Sequence, residues 1–403
     1  MKKTILFAMF AAGMMASCSQ DSNNVLQPVE GNQDGRYPIM LGIGSDPVIS
    51  VSSRGTGTVG GEDLATNLWA EQPLFIYSFD KTDAELATPI ITNEEAIAPK
   101  GAVSGPITWK KATTQYFYEG TTTYDFYGYH IDDAVATVGG VPAQDATTGA
   151  WGIDVKINGT QDLLLAKAEL TKEQIAILNP GAPATDNTGR AYSAYSARKT
   201  IIPQMSFKHL LSRLTFSVYS GSQTATDNIT IESIKVKSLA TGKVVFAVKA
   251  GGTRELVQGT DPVEDFILNS RAGSVMSPLA STTLGIYDNM QADIFKQAET
   301  KVGESMMVMP ATSYAMVVHM KQKISAPGVD PAVFKEFDYP ATIQSPNLGG
   351  VIATKFDAGL TYNIKIGVRS LEEIKITAEL TSWTPGGDVT VDPDAEVVPP
   401  VVP

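Results

Sequence analysis

Residues that build reactive sites are scarce in this chain. Its 403 residues include one cysteine, Cys18, and three histidines, His130, His209 and His319. A single thiol excludes an internal disulfide framework and a cysteine-rich metal site. The histidines stand far apart and no H-E-x-x-H or C-x-x-C spacing occurs, so the bland reading is of satisfied polar residues at strand ends. A three-histidine metal site assembled in space is the alternative. There is no G-x-S-x-G elbow, and no second cysteine to pair with a histidine. Carboxylates are plentiful, but no pair stands out as a glycosidase pair would. No catalytic residue, metal or cofactor is therefore expected, and the chain does not read as an enzyme.

Positive charge is also short. Lys and Arg total 31 against 43 Asp and Glu, a net charge of -12. Nucleic-acid partners need clustered cations, so this balance argues against them, while suiting a soluble, self-repelling surface protein. Long apolar runs are missing too. The run Ile5-Leu6-Phe7-Ala8-Met9-Phe10-Ala11-Ala12 falls short of the roughly 20 residues a membrane-spanning helix needs.

That short run has a different meaning. Lys2 and Lys3 precede it and the small residues Ala16 and Ser17 follow, as in a secretory signal peptide. Those small residues lead directly into Cys18, a pattern that resembles a bacterial lipobox with Met15 where leucine is most usual. The resemblance implies a signal peptide over 1–17 and lipid attachment at Cys18. The charges of 1–54 cancel, Lys2, Lys3, Arg36 and Arg54 against Asp21, Glu30, Asp34 and Asp46, so a form lacking this leader keeps the whole net charge.

With 43% hydrophobic and 18% charged residues the chain is globular in composition, and its length suggests two or three domains. Residues 19–36 are polar and read as a tether. Tyr37, Ile39, Leu41 and Ile43 alternate at the strand period, and Val48-Ile49-Ser50-Val51 adds a short run before the Gly/Ser/Thr-rich break 52–61. Strand patterns then recur over Leu74–Phe79, Tyr124–Tyr129 and Leu214–Val218. Ile229, Ile231, Ile234 and Val236 predict two short strands or one bulged strand. Tyr314–Lys321, Tyr362–Val368 and Ile374–Thr381 alternate apolar with polar, as antiparallel sheets with one wet face require. Thr171-Lys172-Glu173-Gln174 is a capping box opening a short helix, and a second helix is expected within Asp288–Lys301. The expected fold class is all-β: two consecutive antiparallel β-sandwich domains, transthyretin-like or Greek-key in connection, with a few short helices. The first sandwich is assigned to 55–203, the second to 204–387, and a tail to 388–403.

Gly55-Thr56-Gly57-Thr58-Val59-Gly60 matches G-x-G-x-x-G but lacks the βαβ context that would bring a dinucleotide phosphate to a helix N-terminus. Glu62 and Asp63 just beyond it would repel that phosphate. It is read as a decoy.

The lipobox, the leader ending at an arginine in an open break, and the strand-like tail converge with several local patterns. These are TYDFYGYHI (123–131), DLLLA (162–166), FKHLLSRLTFSV (207–218), FDAGLTYNIKIGV (356–368) and ITAELTSW (376–383). In this order they resemble the fimbrillin family, the pilins of type V pili, over nearly the whole chain. The resemblance implies a lipoprotein precursor that reaches the outer membrane and an arginine-specific protease that cuts at Arg54-Gly55. Residues 18–54 would then leave, taking the leader strand of Tyr37, Ile39, Leu41 and Ile43. Small polar residues around Arg54 offer an accessible site, whereas Arg213 and Arg369 lie in or beside strand patterns.

A sheet deprived of a strand recruits another. The candidate donor is the tail, with Val389, Val391, Val397 and Val398 as anchors, although Pro393, Pro399, Pro400 and Pro403 each remove a ladder donor. The implied function is a structural pilin of a cell-surface fimbrium, its partners being other copies or homologous pilin subunits joined head-to-tail. The alternative is a monomeric lipid-anchored surface protein that binds a glycan or host ligand through Tyr116–Tyr118 or Tyr124–Tyr129.

Overall fold

The computed structural model describes residues 36–43, 69–102, 104–118, 122–132, 136–137, 140–180, 188–220, 229–260, 263–268, 282–283, 300–303, 305–325, 331–348, 351–352, 355–370 and 373–381. In chain order the elements that matter here begin with β1 (Leu41–Ile43), β2 (Pro73–Asp80), β3 (Ile91–Ile97), β4 (Gly105–Trp109), β5 (Tyr124–Ile131), β6 (Trp151–Lys156) and β7 (Leu163–Lys167). Helices α1 (Lys172–Leu178) and α2 (Ala194–Arg198) follow, then β8 (Gln204–Met205), β9 (Lys208–His209), β10 (Ser212–Ser220), β11 (Ile229–Ser238), β12 (Thr241–Ala247) and β13 (Glu255–Gln258). The last are β14 (Ser313–Lys323), β15 (Phe334–Gln344), β16 (Thr361–Ser370) and β17 (Glu373–Thr381). The chain is thus all-β with short helices, as its patterning predicts.

The first sheet has eight strands in the order β8-β1-β4-β3-β2-β5-β7-β9. Its two outermost strands, β8 and β9, are separated in the chain only by Ser206 and Phe207, and Ala168, just past β7, bridges back to Met205. The sheet therefore curls until its ends meet. Inside the curl lies one apolar cluster, including Ile39, Leu41, Ile43, Leu74, Ile76, Tyr124, Phe126, Leu164, Met205 and Phe207. The alternate residues Phe79, Tyr127, Tyr129, Leu163 and Leu165 point the other way, into a second cluster. A strand buried on both faces reads as a continuous apolar run instead of an alternating one, which is why Leu163-Leu164-Leu165 has no polar interruption.

Against that second face packs a sheet ordered β13-β12-β6, extended by Ala136–Thr137. Strand β6 pairs antiparallel with β12 from Trp151↔Ala247 to Lys156↔Thr241, so this sheet joins segments from either side of residue 203. The remaining strands face one another as two sheets. In one, β10 lies between Thr300–Lys301 and β16, with β17 outside; in the other, β11 lies between Glu264–Ile267 and β14, with β15 outside. Leu214, Phe216, Ile364 and Ile366 meet Ile231, Ile234, Met316 and Val318 in the same cluster that holds Tyr77 and Phe246.

Pairing is mostly antiparallel, with parallel contacts of β1 with β8 and of β10 with β16. The second runs over eight residue pairs, from Arg213↔Thr361 to Ser220↔Val368. Distant segments can enter a sheet in either direction because no tight turn dictates it.

Strand β11 is one bulged strand, its register shifting between Ile231 and Ser233. The capping box at Thr171 and Gln174 forms and opens α1. Helix α2 carries its own box at Ser193 and Ser196, with serine in place of the usual Glu or Gln. The helix expected within Asp288–Lys301 is not seen in its described part, where Thr300–Lys301 pairs with β10; residues 288–299 lie outside the described residues. No helix among the described residues is long and apolar enough to cross a membrane.

Candidate functional site: the seam around residues 37–43

Strand β1 lies inside its sheet. On one side it runs antiparallel to β4, Leu41 facing Ile107 and Ile43 facing Gly105. On the other it runs parallel to β8, Gly42 facing Gln204 and Ile43 facing Met205. Upstream, Pro38 bridges Tyr116, the Ile39 N–H donates to the Gln115 carbonyl at 2.8 Å, and the Phe117 N–H donates to the Tyr37 carbonyl at 3.0 Å. The Gly42 N–H donates to the Pro203 carbonyl at 3.0 Å, and the Trp109 indole Nε1–H donates to the Ile39 carbonyl at 2.8 Å.

Ile39, Leu41 and Ile43 retain only 2%, 2% and 1% of their surface in contact with solvent. Their period-2 spacing sends all of them into the curl beside Ile107, Phe117, Met205 and Phe207. Gly42 points the opposite way, and there the Gln204 amide lies across the strand. A Cβ at residue 42 would stand 2.6 Å from Gln204 Oε1. Tyr37, half-buried, closes the seam's upstream end, with the Arg198 guanidinium 5.1 Å above its ring.

The surroundings of that upstream end are cationic. Arg190 and Lys199 lie 5.1 Å and 5.5 Å from the centre of one ring, Tyr195. Arg190 and Arg198 are exposed and Lys199 is half-buried. None of the three has a carboxylate partner among the described residues.

The other residues singled out in the sequence are placed as follows. Cys18, the Arg54-Gly55 bond, the Gly55–Gly60 motif, and Val389, Val391, Val397 and Val398 lie outside the described residues. Two of the dispersed histidines flank one leucine. His130 and His209 both pair with Leu164, from opposite neighbours. His130 Nδ1 is 2.6 Å from the Pro73 carbonyl and its Nε2 is 3.1 Å from Asp132 Oδ1. Asp132 in turn accepts from the Asp162 N–H at 2.7 Å, and His209 Nδ1 is 2.6 Å from Asp162 Oδ2. The spacing His130-Ile131-Asp132 puts both polar side chains on one face of a strand, a signal visible in the sequence.

His319 instead sits on the outer face of β14, 2.7 Å from Asp338. Among the described residues no group of three or more metal-ligating side chains occurs. Of the aromatic stretches that could have made a ligand platform, Tyr124, Phe126, Tyr127 and Tyr129 are buried, as is Phe117, while Tyr118 is exposed.

No curated protein matches the chain. Among solved structures, a fimbrial protein from Bacteroides vulgatus ATCC 8482 aligns at 11% identity over 87% of this chain and 100% of its own, with a TM-score of 0.47. A fimbrial assembly protein from Parabacteroides distasonis ATCC 8503 aligns at 12% identity over 86% of this chain and 96% of its own, with a TM-score of 0.34. The fimbrial anchor protein Mfa2 from Porphyromonas gingivalis aligns at 10% identity over 86% and 98%, with a TM-score of 0.35. The profile of the fimbrillin-like family matches residues 63–383, and the chain belongs to that family.

Proposed function

We propose that this protein is a structural subunit of a cell-surface fimbrium. It is exported as a lipoprotein through Cys18 and carried to the outer membrane, and an arginine-specific protease cuts it at Arg54-Gly55. It then joins other copies or homologous subunits head-to-tail by exchanging residues 37–43 for a neighbour's strand. The tail 388–403, anchored by Val389, Val391, Val397 and Val398, is the donor. Family membership supports the fimbrial role.

The observation that carries the exchange is the seat of residues 37–43, hydrogen-bonded on both sides and buried inside the curled sheet. Withdrawing them leaves β4 and β8 with bare edges, which recruit strands. Burial of Ile39, Leu41 and Ile43 contributes about 1.5–3 kcal/mol each. Their sum is of the same order as the roughly 5–15 kcal/mol that holds a whole domain together. A vacant seam is therefore untenable for long, and the gain from refilling it drives addition of the next subunit. Because the vacated seam and the donor tail are different surfaces, the contact is heterologous and grows an open fibre.

The test is brief trypsin treatment of protein beginning at residue 19, followed by mass spectrometry and sizing chromatography. Loss of the mass of 19–54 together with high-mass polymer is the expected result. A protein that keeps its mass and stays monomeric, or one that loses the leader and stays a folded monomer, would refute the proposal.

A further inference from the structure

The seam's upstream end carries charge opposite in sign to the net charge of the molecule. The chain has a net charge of -12, yet residues 187–226 contain no Asp or Glu while holding Arg190, Arg198, Lys199, Lys208 and Arg213. The fold gathers Arg190, Arg198 and Lys199 around Tyr195 and Tyr37, where the resident strand enters its sheet. The parallel register of β1 with β8 fixes this placement. With Gly42 opposite Gln204, the end of α2, a few residues before β8, lies level with Tyr37. A guanidinium resting on a ring has its face occupied but its edge donors free, and those edge donors suit a carboxylate.

A stretch of the opposite composition lies towards the other end of the chain. Beyond Lys375 there is no Lys, Arg or His, and residues 388–396 carry Asp388, Asp392, Asp394 and Glu396 among the valines. We infer that the rim formed by Arg190, Arg198 and Lys199 is the docking surface for the acidic tail of a second copy of this chain, steering it to the seam and setting which end enters first. This inference rests on the tail-for-leader exchange proposed above and adds the charge pairing that guides it.

The physical need is plain. Two bodies of the same negative sign repel, which slows encounter, and a local patch of opposite sign restores the rate and fixes orientation. Apolar pockets alone do not choose a direction for a valine-rich strand. A cationic rim at one end does, by favouring the polarity that keeps a carboxylate beside it.

The experiment follows assembly of the full chain from residue 19 by light scattering, at matched extents of leader release verified by mass. Compared are the wild type, the combined variant Arg190→Glu, Arg198→Glu, Lys199→Glu, and its milder form with Gln at all positions. Arg190 and Arg198 are exposed and Lys199 is half-buried, and unchanged melting of the uncleaved variants controls for folding. Assembly of the Glu variant is expected to slow about tenfold or more and that of the Gln variant less, and wild-type assembly to slow as sodium chloride rises from about 50 to 500 mM.

A rescue arm adds Asp392→Lys, Asp394→Lys and Glu396→Lys to the Glu variant, which should restore assembly to within a few fold of the wild type. Equal rates for all rim variants would overturn the inference while leaving exchange intact. So would slowing that the reversed tail does not relieve. A wild type that releases its leader without polymerising would instead remove the exchange reading beneath it.

Discussion

Gly128 has no side chain because three others already fill its place. A Cβ there would stand 2.7 Å from Met205 Cε, 3.1 Å from Phe207 Cζ and 3.2 Å from Ile76 Cδ1. Gly128→Ala should therefore cost about 1–3 kcal/mol through overpacking, read as a lower urea midpoint, whereas Gly189→Ala, with nothing within 4 Å, should be nearly silent.

His130 is the residue with a pH signature. Burial opposes its charge, but the hydrogen bond and charge of Asp132, the Pro73 carbonyl and the charge of Asp162 together raise its pKa above the ordinary 6.5. Both ring nitrogens face acceptors, so the protonated ring is the satisfied one. A raised folded pKa means that this contribution is fully present below about pH 6.5 and is lost as pH climbs through the folded value. Wild type and His130→Gln should thus differ most in unfolding free energy near pH 6 and converge at higher pH in urea titrations. A difference that grows with pH would show the sign to be wrong.

Among the elements, β1 has an unusual balance between its size and its burial. It has only three residues, yet it is paired along both edges and its apolar side chains are closed off. Leu41→Ala should destabilise the uncleaved protein by about 2–5 kcal/mol. Under the exchange proposal it should also speed polymer formation after cleavage, because a weaker resident strand leaves sooner, while the finished polymer melts as the wild type does. A finished polymer that also melts lower would mean that β1 stays in the mature subunit.

Much of this element was legible in advance. Tyr37, Ile39, Leu41 and Ile43 alternate, and alternation fixes which side chains share a face. What they would be buried against was not legible, since Ile107, Phe117, Met205 and Phe207 lie far along the chain. The three-leucine stretch of β7 gave the opposite difficulty. It declares a buried strand, but only the sheets on either side explain why both of its faces are dry.

For the whole molecule, the largest consequence comes from β12. It belongs to the segment 204–387 expected to form the second sandwich, yet it pairs with β6 of the segment assigned to the first, placing the ring of Phe246 4.7 Å from that of Tyr77 and 5.1 Å from that of Tyr129. One continuous apolar cluster then reaches from β2 and β5 to β14 and β16. Phe246→Ala should cost about 3–5 kcal/mol. Because the cluster is shared, calorimetry should show the entire molecule melting earlier in one coupled transition. Two separated transitions, only one of them shifted, would mean that the halves at 55–203 and 204–387 unfold independently.

The sequence by itself determined the class of fold, the faces of its strands, the cap of α1 and the resemblance to fimbrillins. These are local or periodic properties, written in spacings of a few residues. Tertiary structure alone decided that the first sheet curls until β8 meets the end of β7, that β1 is held between β4 and β8, that His130 and His209 share Leu164, and that cations near residue 195 stand beside Tyr37. Each of these joins residues tens to more than a hundred positions apart. Such contacts arise from the closing of apolar surfaces that no short stretch of sequence specifies.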